Sequence, residues 1–311
     1  MSSKNVVQTI IEERQAKEPW RVPILFPSGR LTRDRQGYLA AVAIAKDEET
    51  DLREWLEFHR LIGFKHVYLY DNGSSDNSLN ILNKFVERGY VTVIPWANFI
   101  EGGSPQRAAY AHAVCNFGPD WRWMAFLDLD EYLFPTEGNN LPQLMKVYED
   151  LPAIAVYWHM FGSSGHEHRP PGLVIENFTL RAPFPPEPSV KTRLLRWKSI
   201  INPSRVHGIE SPHSFILDDG VIGAYTEERK LVTLENVGDV GFASRRTIRL
   251  NHYFVKSEAD FARKINRCAA GCPIISRRQA RLEMASLIET DLVEDRAIHR
   301  FLPLLYRAMD L

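Results

Sequence analysis

Residues 38–78 read YLAAVAIAKDEETDLREWLEFHRLIGFKHVYLYDNGSSDNS, and this stretch decides the class of fold. It opens with an apolar, β-rich run that stops at Lys46, Asp47 and Glu48, as a strand buried on both faces stops at its carboxyl end. Leu52, Trp55, Leu56, His59 and Ile62 then recur at helical spacing, with Thr50 or Asp51 as amino-terminal cap and Gly63 as stop. A second apolar strand follows and ends in a cluster of polar residues and glycine, from Asp71 to Ser78.

The same alternation continues on the carboxyl side. SLNILNKFVERG (78–89) predicts a helix with a glycine stop, YVTVIPW (90–96) a third strand, PQRAAYAHAVCNFG (105–118) another helix, and RWMAFLDLDEYLFP (122–135) a fourth strand. Alternation of this kind predicts an α/β domain with a mainly parallel, doubly wound sheet of Rossmann-like form, whose ligands lie outside the carboxyl ends of the strands. Asp71 and Asp128 both fall at such ends. The order is harder to read beyond residue 135, where AIAVYWHMFGSSGH (153–166) reads as a strand entering a glycine loop. PFPPEPS (183–189) reads as a surface excursion, and RTIRLNHYFVKS (246–257) as a late strand ending at His252. Residues 1–37 form an arm with a short helix over Val6–Ala16, residues 38–257 the main domain, and residues 258–311 a helical, charged region.

Composition narrows the function classes. The chain has 311 residues, 44% of them hydrophobic and 25% charged, enough for a large core in one domain with appendages. Thirty-eight basic residues against thirty-nine acidic ones leave a formal charge of -1, so nothing suggests the broad basic face that nucleic-acid binding usually requires, and a local basic patch stays open. Of three cysteines, Cys268 and Cys272 are a lone pair with no second pair to complete a zinc site. The sequence shows no signal-peptide core and no apolar run of membrane-span length, so a soluble, cytoplasmic protein is expected.

The functional question lies in FLDLDEYLFP (126–135), where Asp128, Asp130 and Glu131 end an apolar run. Desolvated carboxylates destabilise a fold or shift their pKa unless something compensates, and a cation does so. In a regular strand Asp128 and Asp130 point to one face and Leu129 to the core, which would set two hard oxygen ligands for Mg²⁺ or Mn²⁺. Such an ion keeps positions open for phosphates and neutralises charge on a diphosphate leaving group. By spacing alone, a solvated turn is the competing reading.

Several ordered segments together resemble glycosyltransferase family 92 and the related bacterial family 2-like transferases. They are residues 43–78, WRWMAFLDLDEYLFP (121–135), WHMFGSSGHEHRPPGLVIENF (158–178), KSIINPSRV (198–206) with His213 downstream, and NHYFVKS (251–257). The resemblance implies a GT-A fold and transfer of a sugar from a nucleotide diphosphate donor, a UDP-sugar with UDP-galactose first, to a hydroxyl of a saccharide or glycolipid. It implies that Asp128 and Asp130 are the Asp-x-Asp motif holding ion and diphosphate, extended by Glu131, that His252 completes the metal site, and that Lys256 contacts phosphate. Neutral imidazole is compatible with Mn²⁺, while a satisfied core histidine is the alternative for His252. It further implies that Asp71 contacts base or ribose, with Asn72, Gly73 and Ser74 letting the backbone approach; an ordinary Asn-Gly turn competes. Ala45, Lys46 and Glu48 are weaker nucleotide candidates. Gln106 and Arg107 open a helix that would face phosphate or acceptor.

Inverting transfer needs a base within hydrogen-bond reach of the acceptor hydroxyl. Glu210 and His213, both in HGIESPH (207–213), and Glu167 in the 161–170 loop remain open for that role. Animal and plant members of the family are typically Golgi-anchored and cysteine-rich; this chain shows neither pattern, which fits a cytoplasmic bacterial-type enzyme acting in surface polysaccharide synthesis. An amphipathic reading of RRQARLEMASLIETDL (277–292) allows peripheral membrane contact, with packing on the main domain or on a partner subunit as the alternative. Two other classes compete: a non-catalytic nucleotide-sugar or glycan-binding module of the same fold, and phosphoryl transfer. The latter lacks the Gly-rich loop ending in Lys-Ser or Lys-Thr after the first strand.

Overall fold

The computed structural model describes residues 23–27, 35, 37–97, 104–184, 194–267 and 274–311. The predicted helix over Val6–Ala16, residues 185–189 of the proline-rich excursion, Cys268 and Cys272 lie outside the described residues. In chain order the strands are β1 (Ile24–Leu25), β2 (Gly37–Ala45), β3 (His66–Asp71), β4 (Val91–Pro95), β5 (Trp121–Phe126), β6 (Glu131–Pro135) and β7 (Ala153–Met160). They continue as β8 (Leu180–Arg181), β9 (Trp197–Ile201), β10 (Val206–Ser211), β11 (Ser214–Leu217), β12 (Ile222–Tyr225), β13 (Leu231–Val232), β14 (Ile248–His252) and β15 (Val293–Glu294).

The expected α/β architecture is present. β4, β3, β2 and β5 run parallel side by side; β2, β3 and β4 end level, with Ala45 opposite Asp71 and Asp71 opposite Pro95, while β5 ends at Phe126 opposite Val42. Alternate residues of β2 explain its continuous apolar run: Leu39, Ala41, Ala43 and Ala45 pack in one core, Ala40 and Val42 in the other. The helices Leu52–Leu61 and Ser78–Glu87 cover the first face, and the helix Pro105–Asn116 covers the second, so the sheet is wound on both sides. Gly63 stops the first helix as the sequence suggests. At φ +107° it closes a Schellman turn, Gly63 N–H to the Arg60 carbonyl and Phe64 N–H to the His59 carbonyl, and a Cβ there would meet Pro142 at 2.7 Å.

Two features depart from the sequence reading. The predicted fourth strand breaks after Phe126: β5 pairs with β2 and β9, whereas β6 pairs with β14, and residues 127–130 turn between them. Asp128 and Asp130 therefore project from a turn rather than from one face of a strand, although Leu129 does join the core. Past this point β9 is inserted antiparallel between β5 and β7, an antiparallel run of β10, β11 and β12 extends the sheet, and β14 lies parallel to β7. Between these strands fall only a four-residue helix, Val174–Asn177, and short 3-10 turns, too short for an alternation of periods to signal them.

Both ends of the described chain join this body. β1 adds to β10, and the helix Leu302–Met309 places Leu305 and Met309 in the core against the first helix. The helices Glu258–Arg267 and Ile274–Ile288 build a smaller cluster in which Phe261, Ile265, Ala285 and Ile288 pack on Met160 and Val255. Met284, Ala285, Leu287 and Ile288 of the segment that suggested membrane contact pack in this cluster, while Leu282 stays exposed. Among the described residues no helix is long and apolar enough to cross a membrane.

His59 is a core residue with a measurable consequence. It is fully buried, its Nδ1 donates to the Trp55 carbonyl at 2.8 Å, and its Nε2 accepts from Leu133 N–H at 3.4 Å, so the neutral ring uses both nitrogens. Burial, partly opposed by the Trp55 bond, holds its pKa down at about 3. A histidine depressed in the folded state stabilises fully above its unfolded pKa and loses that contribution as pH falls toward the folded value. Acidification from pH 7 to pH 5 should therefore cost about 2 kcal/mol through His59 alone. Urea midpoints at the two pH values check this, with His59→Gln expected to flatten the slope by that amount.

Candidate active site

The carboxyl ends of the parallel strands open into a cleft of about 1030 Å³. Its walls are the 44–51 segment after β2, Asn72 and Asp76 after β3, the start of the helix Pro105–Asn116, the 128–130 turn, residues 252–256 after β14, and the helix Glu258–Arg267. Hydrogen bonds lace the first two walls together. Asp47, held at φ +54°, accepts from Ser75 N–H at 2.6 Å and Asp76 N–H at 3.3 Å, while Glu49 and Asp76 exchange bonds with Asn77 N–H and Glu49 N–H. Lys46 and Glu48 line the cleft from this wall. Asp71 does not. Its carboxylate is 8% exposed and accepts the N–H of Ser74 at 3.2 Å, so it closes its own turn and leaves Asn72 as the lining residue.

The 128–130 turn is a charge-balanced knot. Asp128 Oδ1 accepts from Gln106 Nε2 at 2.6 Å, and its Oδ2 lies 2.9 Å from the Lys198 ammonium. Gln106 is thus committed to Asp128 and to Tyr110, rather than pointing as a free donor toward a ligand. Lys198 is 2% exposed, projects from β9, and also faces Glu131 at 3.6 Å. Asp130 Oδ2 accepts from Lys264 Nζ at 2.7 Å, and its Oδ1 is 3.4 Å from His252 Nε2. Burial raises the pKa of both aspartates, but Lys198 outweighs it at Asp128, and Lys264 with His252 outweighs it at Asp130, so both stay ionised. Glu131 goes the other way: burial, opposed by Lys198 and reinforced by Asp128 and Asp130, pushes its carboxyl well above the usual range.

A second network closes the rim. Asp51 stands at the amino-terminal cap position of the first helix but makes no capping bond; its carboxylate is taken by Arg169 and Lys256. Arg169 Nε also reaches Asp260 at 3.0 Å, joining the 161–172 loop, the segment after β14 and the helix Glu258–Arg267. Lys256, expected on phosphate, lines the cleft but places its ammonium on Asp51, with its backbone held at φ +57°.

The three base candidates are separated by this geometry. Glu210 is 6% exposed and accepts from the Ser214 hydroxyl at 3.0 Å, outside the cleft lining. Glu167 is exposed on the far loop and also outside the lining. Only His213 of the three lines the cleft. Its Nδ1 donates to the Trp197 carbonyl at 2.8 Å, which leaves the lone pair of the neutral ring on Nε2. Burial and Lys198, partly opposed by Asp128, hold its pKa down at about 3.

Among the described residues no group of three His, Cys, Asp or Glu side chains is placed to hold a metal ion. The pair Asp130 and His252 nonetheless fits one. A hard oxygen and an imidazole nitrogen stand 3.4 Å apart on the cleft wall, and a divalent ion commonly takes few protein ligands and completes its shell with water and substrate phosphates. Behind them His252 Nδ1 and Glu131 Oε1, both buried and without hydrogen-bond partners among the described residues, face each other at 3.9 Å, beyond hydrogen-bond distance. The Asp128 carboxylate beside them is held by Gln106 and Lys198.

Sequence reasoning missed Lys198, Lys264, Asp51 and Arg169. Lys198 had a signal, a lone ammonium within the apolar run of WKSII (197–201), of the same kind that exposed the carboxylates. The other three had none, because their partners lie far away in the chain.

A mixed α/β sheet with helices on both faces and charged residues clustered at the ends of its parallel strands defines a fold of the GT-A type. The sequence profile of glycosyltransferase family 92 matches residues 42–260, most of the chain. The chain belongs to glycosyltransferase family 92. Family 92 proteins from Ricinus communis and Oryza sativa subsp. japonica are similar at 26% identity over 203 residues (62% of this chain, 34% of the relative) and 28% over 191 residues (59% and 30%). One from Arabidopsis thaliana is 30% identical over 186 residues, 55% of this chain and 30% of the relative. The matched region thus spans about a third of the length of these curated relatives. Among solved structures, S. aureus TarS 1–349 in complex with UDP aligns with a TM-score of 0.34 at 16% identity, covering 54% of this chain and 47% of that one. Glucosyl-3-phosphoglycerate synthase from Mycobacterium tuberculosis, in complex with Mn²⁺, UDP and glucosyl-3-phosphoglycerate, aligns with a TM-score of 0.30 at 14% identity, covering 54% and 57%. Likenesses this distant leave the family assignment resting on sequence.

Proposed function

We propose that the protein is a metal-dependent, inverting glycosyltransferase that moves a hexose from a UDP-sugar, with UDP-galactose the first candidate, to a hydroxyl of a saccharide or glycolipid. The observation that carries the reading is the approach of Asp130 and His252 to 3.4 Å in a cleft at the strand ends, in a chain of this family. Mn²⁺ or Mg²⁺ held by this pair supplies Lewis-acid stabilisation of the leaving diphosphate. The remaining work falls to the chain. Gln106 and Lys198 fix the carboxylate of Asp128, while the interlaced 46–51 and 72–78 segments form the wall against which the nucleoside lies.

His213 is the base in this reading. Its Nδ1–H is anchored on Trp197, so Nε2 accepts the acceptor-hydroxyl proton as the new glycosidic bond forms and the bond to diphosphate breaks. A depressed pKa keeps the ring unprotonated at neutral pH. The test is incubation of purified protein with Mn²⁺ and a panel of sugar nucleotides and acceptors. Hydrolysis or transfer from one donor, lost in His213→Ala for transfer but not for UDP binding, is the expected result. UDP binding without turnover across the whole panel would instead indicate a binding module.

A further inference from the structure

Each carboxylate of the Asp-x-Asp turn already carries an ammonium, and the two lysines are mounted differently. Lys198 rises from the central strand β9 and is 2% exposed, so it is a fixed part of the site. Lys264 comes from the helix Glu258–Arg267, which packs through Phe261 and Ile265 on the small outer cluster instead of the main core. Its side chain is 26% exposed, lies 4.2 Å from the Phe254 ring centre, and bonds both Asp130 Oδ2 at 2.7 Å and the Phe254 carbonyl at 3.0 Å. The ammonium therefore occupies one oxygen of the very carboxylate whose other oxygen faces His252. Two cations on the two oxygens of one carboxylate repel strongly in a partly desolvated site. A lysine, on a flexible four-carbon stem with rotatable donors, is the one that can move.

We propose that Lys264 is a resident counter-ion of Asp130, which leaves the carboxylate when a divalent cation is held there and takes the nucleotide diphosphate as its new partner. This rests on the metal-site reading above. Cation and nucleotide then bind in mutual dependence: without diphosphate the displaced ammonium loses an anionic partner, and with diphosphate it gains one. By linkage, UDP must tighten the cation by the same factor as the cation tightens UDP.

The test is Mn²⁺ titration of the full chain, by calorimetry and by the paramagnetic resonance of free Mn²⁺, with and without UDP. Lys264→Met, and Lys264→Gln as a second neutral variant, should bind Mn²⁺ alone about tenfold more tightly than wild type and lose most of the tightening that UDP confers. Arg263→Met is the control for general charge removal, because Arg263 lines the same cleft but pairs with Asp260 rather than Asp130; it should shift Mn²⁺ affinity much less. Wild-type Mn²⁺ affinity in both Lys264 variants, or an equal gain in Arg263→Met, overturns the inference while leaving the metal site standing. If wild type binds UDP but no Mn²⁺ under either condition, the inference and the metal-dependent reading fall together.

Discussion

Asp130→Asn should lower turnover at saturating nucleotide by about two to three orders of magnitude, the range typical when an electrostatic stabiliser of a leaving or developing anion is removed. The substitution keeps size and shape, so the turn and its buried neighbours persist, and far-ultraviolet circular dichroism should be unchanged. What goes is the charge on which Lys264 Nζ lies at 2.7 Å and which His252 approaches at 3.4 Å. The Mn²⁺ concentration for half-maximal activity should rise as well. Asp128→Asn should move that concentration less, since the Asp128 carboxylate is taken by Gln106 and Lys198 and it is Asp130 that His252 approaches. Wild-type turnover in Asp130→Asn would remove the metal role from this residue.

Asp51→Ala should destabilise the protein by about 3–5 kcal/mol, the usual cost of removing one partner from a buried ion pair. Asp51 is 2% exposed and is the shared anion of Arg169 and Lys256, so its loss strands the buried Lys256 ammonium and leaves Arg169 with Asp260 alone. Burial raises its pKa, but Lys256 and Arg169 more than offset this and lower it below the ordinary value. Its contribution is therefore complete above the unfolded carboxylate pKa and drains away as pH falls through the folded one. A lower urea midpoint with an unchanged slope is the expected reading. Adding Lys256→Met to Asp51→Ala should recover part of the loss, because the pair is coupled by direct contact. Strict additivity of the two variants would show that the contact contributes nothing.

Much of the site's location was legible and little of its wiring. The strand–helix–strand of residues 38–78 could be read because a strand covered on both faces is apolar throughout, while an amphipathic helix ends where glycine permits a positive φ. The 128–131 carboxylates could be read as a site because charge against a core demands compensation. That same run misled about its own backbone. Phe126 and Tyr132 are equally buried on either side of the turn, so hydrophobicity gave no sign that the chain leaves one strand pair and joins another. His213 and Glu210, residues three apart, look alike in sequence, and only the fold shows that His213 lines the cleft while Glu210 meets Ser214.

The periodic elements and their parallel run through β5, whose carboxyl ends line the cleft, could be read from the sequence, since these depend on burial alternation and turn chemistry within a few neighbouring residues. The tertiary structure alone decided which charge answers which. Lys264 meets Asp130 across 134 positions, and Lys256 meets Asp51 across 205. Coulombic partners are chosen by distance in space, and no local pattern along a chain encodes a contact made only once distant segments have packed.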